Sequence, residues 1–109
     1  MWMVEPEVMC RKHLLGEHLE LHMFVGTIKK GTSLKGYAAN GLVETRSINF
    51  RHEELVREME RRGYNHRTPL KFHDKLDAGE IDRLASLREL LSRCKECRAR
   101  FQQRRKIKE

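Results

Sequence analysis

Between His13 and Ile28 the apolar side chains do not keep to one stripe, and this constrains the fold more than any other feature of the chain. At ~100° per residue, Leu14, Leu21, Val25 and Ile28 form one apolar side of a helix, and Leu15, Leu19 and Met23 form another. Between them lies a narrow polar wedge of His13, Gly16, Glu17 and Glu20. A helix apolar nearly all round belongs in the middle of its domain, so other helices must pack about it. The wedge then carries two carboxylates and an imidazole into a low dielectric, which is costly unless they are paired or useful. In one reading Glu17 and Glu20 floor a catalytic cleft, where desolvation raises a carboxylate pKa towards a useful range. In the other they pair with basic residues of neighbouring helices and serve packing. Gly16 removes bulk beside them, leaving room for a backbone or a ligand.

The segment predicts a helix from about Pro6 to Lys30. Pro6 suits a first helical position, where its missing N–H is harmless. Lys29 and Lys30 suit the negative end of the helix dipole, and Gly31 can take the left-handed conformation that closes it. Ser33 to Ala39 reads as a short helix with Leu34 and Tyr37 facing inward. Ile48, His52, Leu55, Val56 and Met59 recur at three- and four-residue steps and predict a helix over Ile48 to Arg62, stopped at Gly63. A last helix is predicted after Asp77 as N-cap, with Glu80 completing a capping box. Its stripe is Ile81, Leu84, Leu87, Leu91, Cys94 and Phe101. No segment alternates like a strand. The expected fold is all-α, one domain over residues 1–109, a compact bundle of three main helices with a long buried first helix.

Charge points outward to a partner. Lys and Arg exceed Asp and Glu by seven, and Arg93 to Glu109 holds eight basic side chains against Glu96 and Glu109. Such a segment draws polyanions, nucleic acid first, although a solvated helix end accounts for the charge equally well. A membrane surface is the weaker reading, because from Gln102 onward only Ile107 is apolar enough to insert. No run approaches the ~20 apolar residues of a membrane span, Glu5 interrupts the opening Met1 to Val4, and three cysteines suggest reduced thiols. A cytoplasmic location is expected.

Two patterns invite a metal. His18 and His22 stand at i and i+4, a spacing able to hold zinc, though they point away from the Glu20 wedge. Core-lining or hydrogen-bonded histidines are the simpler account. Cys94-Lys95-Glu96-Cys97 has zinc-like spacing, but no second cysteine pair accompanies it and Cys10 is the only other thiol. Structural thiols are expected and no metal site is assigned.

Two ordered stretches resemble the pyrimidine-dimer DNA glycosylases of the phage endonuclease V type. One is His13-Leu14-Leu15-Gly16-Glu17-His18-Leu19-Glu20-Leu21, followed by Val25-Gly26; the other is Arg51-His52-Glu53-Glu54-Leu55 through Glu60-Arg61-Arg62-Gly63-Tyr64-Asn65. The resemblance implies an all-α enzyme of double-stranded DNA, without cofactor, whose essential glutamate falls on Glu20 and whose substrate-contacting histidine falls on His13. It further implies an α-amine nucleophile that attacks C1′ and gives an imine, then strand cleavage by β-elimination. Trp2 is too bulky for ordinary methionine trimming, so the amine of Met1 is the expected nucleophile. An α-amine titrates at ~7.7–8.0, so a useful fraction is neutral near physiological pH. Leu19 and Met23 stand where the family has arginines, and the family's aromatic-rich C-terminal segment is missing.

The expected site is therefore Met1 and Glu20 as catalytic pair, with His13, Glu17, Lys29, Lys30, Arg51 and Arg62 contacting substrate. Arg46, Arg61, Arg67, Lys71 and the tail arginines are further candidates for phosphate. Two other functions fit parts of the pattern: a non-catalytic nucleic-acid-binding helical module, and a metal-dependent hydrolase using His18, His22 and Glu20.

Overall fold

The computed structural model describes residues 1–65, 68–70, 72 and 76–108, with side chains described as far as Arg104. Among these residues the secondary structure is helix and turn, without a strand. A 3-10 turn at Pro6–Val8 precedes α1 (Arg11–Lys29) and the short α2 (Lys35–Ala39). A second 3-10 turn, Thr45–Ser47, runs straight into α3 (Ile48–Arg61). The remaining helices are α4 (Arg83–Arg93) and α5 (Lys95–Lys108). The chain is an all-α single domain, and no described helix is long and apolar enough to cross a membrane.

The first helix begins later than Pro6 predicts. Pro6 does open a helical turn, but Met9 is extended and Cys10 is the N-cap of α1. Gly31, at φ 77°, lies just beyond the far end, where the sequence put the stop. Nor does the bundle enclose α1. Leu14, Glu17, Leu21, Phe24 and Val25 are buried, whereas Leu19 is 71% and Met23 45% exposed. A domain this small has too few helices to cover every face of one of them. Instead α1 lies against α3 by one face, and no neighbouring atom of the described residues lies within 4 Å of where a Gly16 Cβ would stand.

The stripe of α3 is as its spacing predicts: Ile48, His52, Leu55, Val56 and Met59 are all buried. Each fully buried Leu or Ile contributes roughly 2 kcal/mol. Leu34, the N-cap of α2, is buried, but Tyr37 within it stays 42% exposed, its ring set edge-on to Phe24.

Where the spacing predicts one helix after Asp77, there are two. Residues 76–81 form a strap against Thr45, whose N–H donates to the Ala78 carbonyl at 3.0 Å and whose hydroxyl bonds Leu76 and Ala78. Asp82, not Asp77, caps α4 by accepting from the Ala85 N–H at 3.0 Å. Cys94 is extended, at φ −122° and ψ 110°, and separates α4 from α5. The inward positions are Leu90 and Cys97, both fully buried, while Leu84 is 58% exposed. Leu87, Leu91 and Phe101 pack partly buried at the edge of the core. That core also contains Met1, Met3, Val4, Val8 and Met9, so the start of the chain is an internal element.

Candidate active site

The amino terminus reaches the site because Met3 adopts φ 56°, a left-handed turn uncommon for a side chain of this size. The Met1 side chain is buried, and its Sδ accepts from the Glu44 N–H at 3.3 Å. The Trp2 carbonyl accepts from the Ser86 hydroxyl at 2.5 Å, which ties the terminus to α4. The Met1 amine then donates to the Leu42 carbonyl at 3.0 Å and to the Glu20 carboxylate, with which it forms an ion pair. Glu20 keeps 36% of its side chain exposed. Both groups line a cleft of about 600 Å³ whose walls include Trp2, Tyr37, Leu42, Asp82 and Ser86. That volume lies in the range of small-ligand sites. A primary amine on a carboxylate has a proton acceptor in place, and once it gives up a proton it has the chemistry of a nucleophile.

Ile81, which lines the cleft, is tied by its backbone to Glu44, which is 1% exposed. Its carboxylate accepts from the Ile81 N–H at 2.9 Å, from the Arg83 guanidinium at 2.9 and 3.2 Å, and from the Ser47 hydroxyl. Burial acts to raise its pKa, but these donors outweigh it and hold the carboxyl at about 2.

Several residues assigned to substrate on sequence grounds lie elsewhere. Glu17 and Arg51 form a two-pronged ion pair at 2.6 and 2.8 Å, both 1–2% exposed, between α1 and α3. Arg51 also donates to the Val4 carbonyl at 2.6 Å. This is the packing alternative for Glu17, because a carboxylate on the buried face of α1 needs its counter-charge there. Arg62 pairs with Glu58 at 2.7 Å and donates to the carbonyls of Pro6 and Met9, so it anchors the N-terminal turn. Lys29 and Lys30 are exposed at the end of α1. Arg46 faces Asp77 and Glu80, Arg61 pairs with Glu58, and Arg104 pairs with Glu5 and Glu7. Arg67 and Lys71 lie outside the described residues.

His13 is on the same helix as Glu20, but its Nδ1 lies 3.1 Å from Cys10 Sγ and 3.7 Å from Cys97 Sγ. Its ring meets Trp2 edge-on at 5.8 Å. Burial lowers the His13 pKa, with Lys12 and Arg93 adding to the effect. Cys10, His13, Cys94 and Cys97 together have ligand atoms within 4.8 Å of one another, and so do His18, His22 and His52. The His18 ring is 4.9 Å from both His22 and His52. Glu20 belongs to neither group, so the hydrolase arrangement of His18, His22 and Glu20 is not formed among the described residues.

Sequence reasoning did not find Leu42, Glu44 or Ser86. Their roles depend on which distant backbone they meet, and no local spacing signals that. His52 read as one more position of an apolar stripe.

A family model described as pyrimidine dimer DNA glycosylase matches residues 1–72. No curated protein and no solved structure matches the chain.

Proposed function

We propose, since the chain belongs to the pyrimidine dimer DNA glycosylase family, that it excises damaged pyrimidines by attack of the Met1 α-amine on C1′ of the nucleotide. The observation that carries this reading is the contact of that amine with the Glu20 carboxylate in a cleft. Glu20 takes a proton from the ammonium group, leaving a neutral amine. Attack forms the N–C1′ bond and breaks the glycosidic bond, whose electron pair departs with the base. Glu20 passes that proton to the ring oxygen as the ring opens to the protonated imine, and the carboxylate so regenerated faces its positive charge. Loss of a C2′ proton to a general base, in this reading Glu20, expels the 3′ phosphate and cuts the strand. Water hydrolyses the imine and restores the amine.

A base within a duplex is reached only by distorting the helix or extruding the nucleotide, while cations hold the phosphates. The exposed Lys29 and Lys30 are the sequence-assigned contacts best left for that task. Glu17, Arg51 and Arg62 support the reading differently, by fixing α1 and the N-terminal turn that present the pair.

Borohydride reduces an imine to a stable amine, so incubation with abasic-site duplex DNA should trap a covalent adduct at residue 1. Glu20→Gln should slow trapping by about 100-fold or more. Absence of an adduct, or one that survives both Glu20→Gln and acetylation of the amino terminus, would refute the proposal. Salt-sensitive DNA binding without any adduct would identify a non-catalytic binding module instead.

A further inference from the structure

We propose that Cys10, His13, Cys94 and Cys97 hold one zinc ion in a four-coordinate site of three thiolates and one imidazole, which staples the start of α1 to the junction of α4 and α5. The spacing is Cys10-x-x-His13 and Cys94-x-x-Cys97. Each cysteine that opens a pair precedes the first residue of its helix, and each partner is the third helical residue. Side chains at those two positions converge over the first turn, the geometry that also makes capping boxes. Here the starts of two helices meet, and four donors converge where a single pair offers only two.

The distances fit a metal tetrahedron. Zinc–sulfur bonds of ~2.3 Å at tetrahedral angles place two sulfurs about 3.8 Å apart, and Cys10 Sγ lies 3.7 Å from Cys94 Sγ. His13 Nδ1 is 3.1 Å from one sulfur and 3.7 Å from another. A disulfide would bring two sulfurs to about 2.05 Å and leave the imidazole without a task. Three thiolates around a dication leave one net negative charge, and the surroundings answer it. The Cys10 N–H points at Cys97 Sγ at 3.2 Å and the Cys97 N–H at Cys94 Sγ at 3.4 Å. Such N–H···S contacts hold thiolate ligands in orientation. Two helix N-termini add their positive dipole ends.

Four protein donors fill the coordination of zinc, and Cys10 and Cys97 are buried, so the ion is structural and takes no part in the chemistry. Binding releases up to three thiol protons to solvent. Cys94 and Cys97 lie beyond the residues 1–72 matched by the family model. The site is therefore a property of this chain, argued independently of its proposed activity, and it assigns His13 to the metal and not to substrate.

The test uses the untagged full chain purified without chelator. Elemental analysis should find zinc, and Cys94→Ser and Cys97→Ser should each bind one ion fewer, with affinity at that site reduced more than about 100-fold. His13→Cys, which makes all four donors thiolates, should keep it. Cobalt(II) exchanged into the wild type should show thiolate-to-cobalt charge transfer and tetrahedral d–d bands. His18→Ala should leave both intact, which separates this site from the three histidines. In the wild type, titrating the thiols with an organomercurial should release zinc in step, a readout that needs no variant to fold. A wild type that takes up no zinc, cobalt bands without thiolate character, or a Cys10–Cys94 disulfide in peptide maps would overturn the proposal.

Discussion

Burial acts to raise the pKa of the Glu44 carboxyl, and the donors around it reverse the sign: Arg83, the Ile81 N–H and Ser47 hold it at about 2 against an ordinary 4.5. A difference of that size is worth roughly 3 kcal/mol of folding stability. Because the folded value lies below the unfolded one, the contribution is complete above pH ~4.5 and is lost as pH falls towards 2. Urea unfolding of wild type and Glu44→Gln should differ by roughly 3 kcal/mol at pH 7 and by about half of that or less at pH 3. A gap unchanged between the two pH values would mean that the carboxylate is not held ionised by these donors. Glu17 shows how far one residue's chemistry is legible by itself. Its place on a mostly apolar helix predicts either a cleft or an ion pair, and only the position of Arg51, 34 residues away, decides for the pair.

At the scale of elements, spacing determined α3 almost to the residue, because its buried face is one clean stripe ending at Gly63. It failed where two equally good starts compete. Asp77 and Asp82 both offer a capping carboxylate, but Gly79 between them sits at φ 80°, which no helix tolerates. The choice is made by the strap: Thr45 holds Ala78, and a Cβ on Gly79 would lie 2.0 Å from the Val43 carbonyl oxygen. Gly79→Ala is therefore expected to displace the strap and lower stability by about 2 kcal/mol or more, the left-handed strain adding to the backbone clash. Thermal unfolding of this variant beside Gly31→Ala, whose Cβ meets nothing among the described residues, separates the two effects. Equal losses in the two would leave strain alone as the cause. The break at Cys94 was equally invisible in the sequence, since the apolar spacing continues through it; its reason is the meeting of two helix starts, a tertiary fact.

The whole molecule brings residues 1, 20, 42 and 86 to one cleft, and of these only the first two were legible in the chain. Resemblance named Met1 and Glu20, but nothing local says that an amino terminus can thread into a core of Met1, Met3, Val4 and Val8. That placement depends on long-range ties whose effect can be separated from DNA binding. Ser86 lies on α4 and donates its hydroxyl to the Trp2 carbonyl, 84 positions away. Removing it leaves the charged surface intact but loosens the segment that holds the amine on Glu20. If the amine must be held in place to react, Ser86→Ala should slow imine trapping at saturating DNA by about 10-fold, since misplacement of about an ångström can cost still more. The affinity for DNA and its salt dependence should stay at wild-type values, because both follow from phosphate contacts made elsewhere. Equal losses in trapping and in affinity would show that α4 itself contacts DNA, and no loss in either would mean that the contacts of Met1 with Glu20, Leu42 and Glu44 fix the terminus without help from α4.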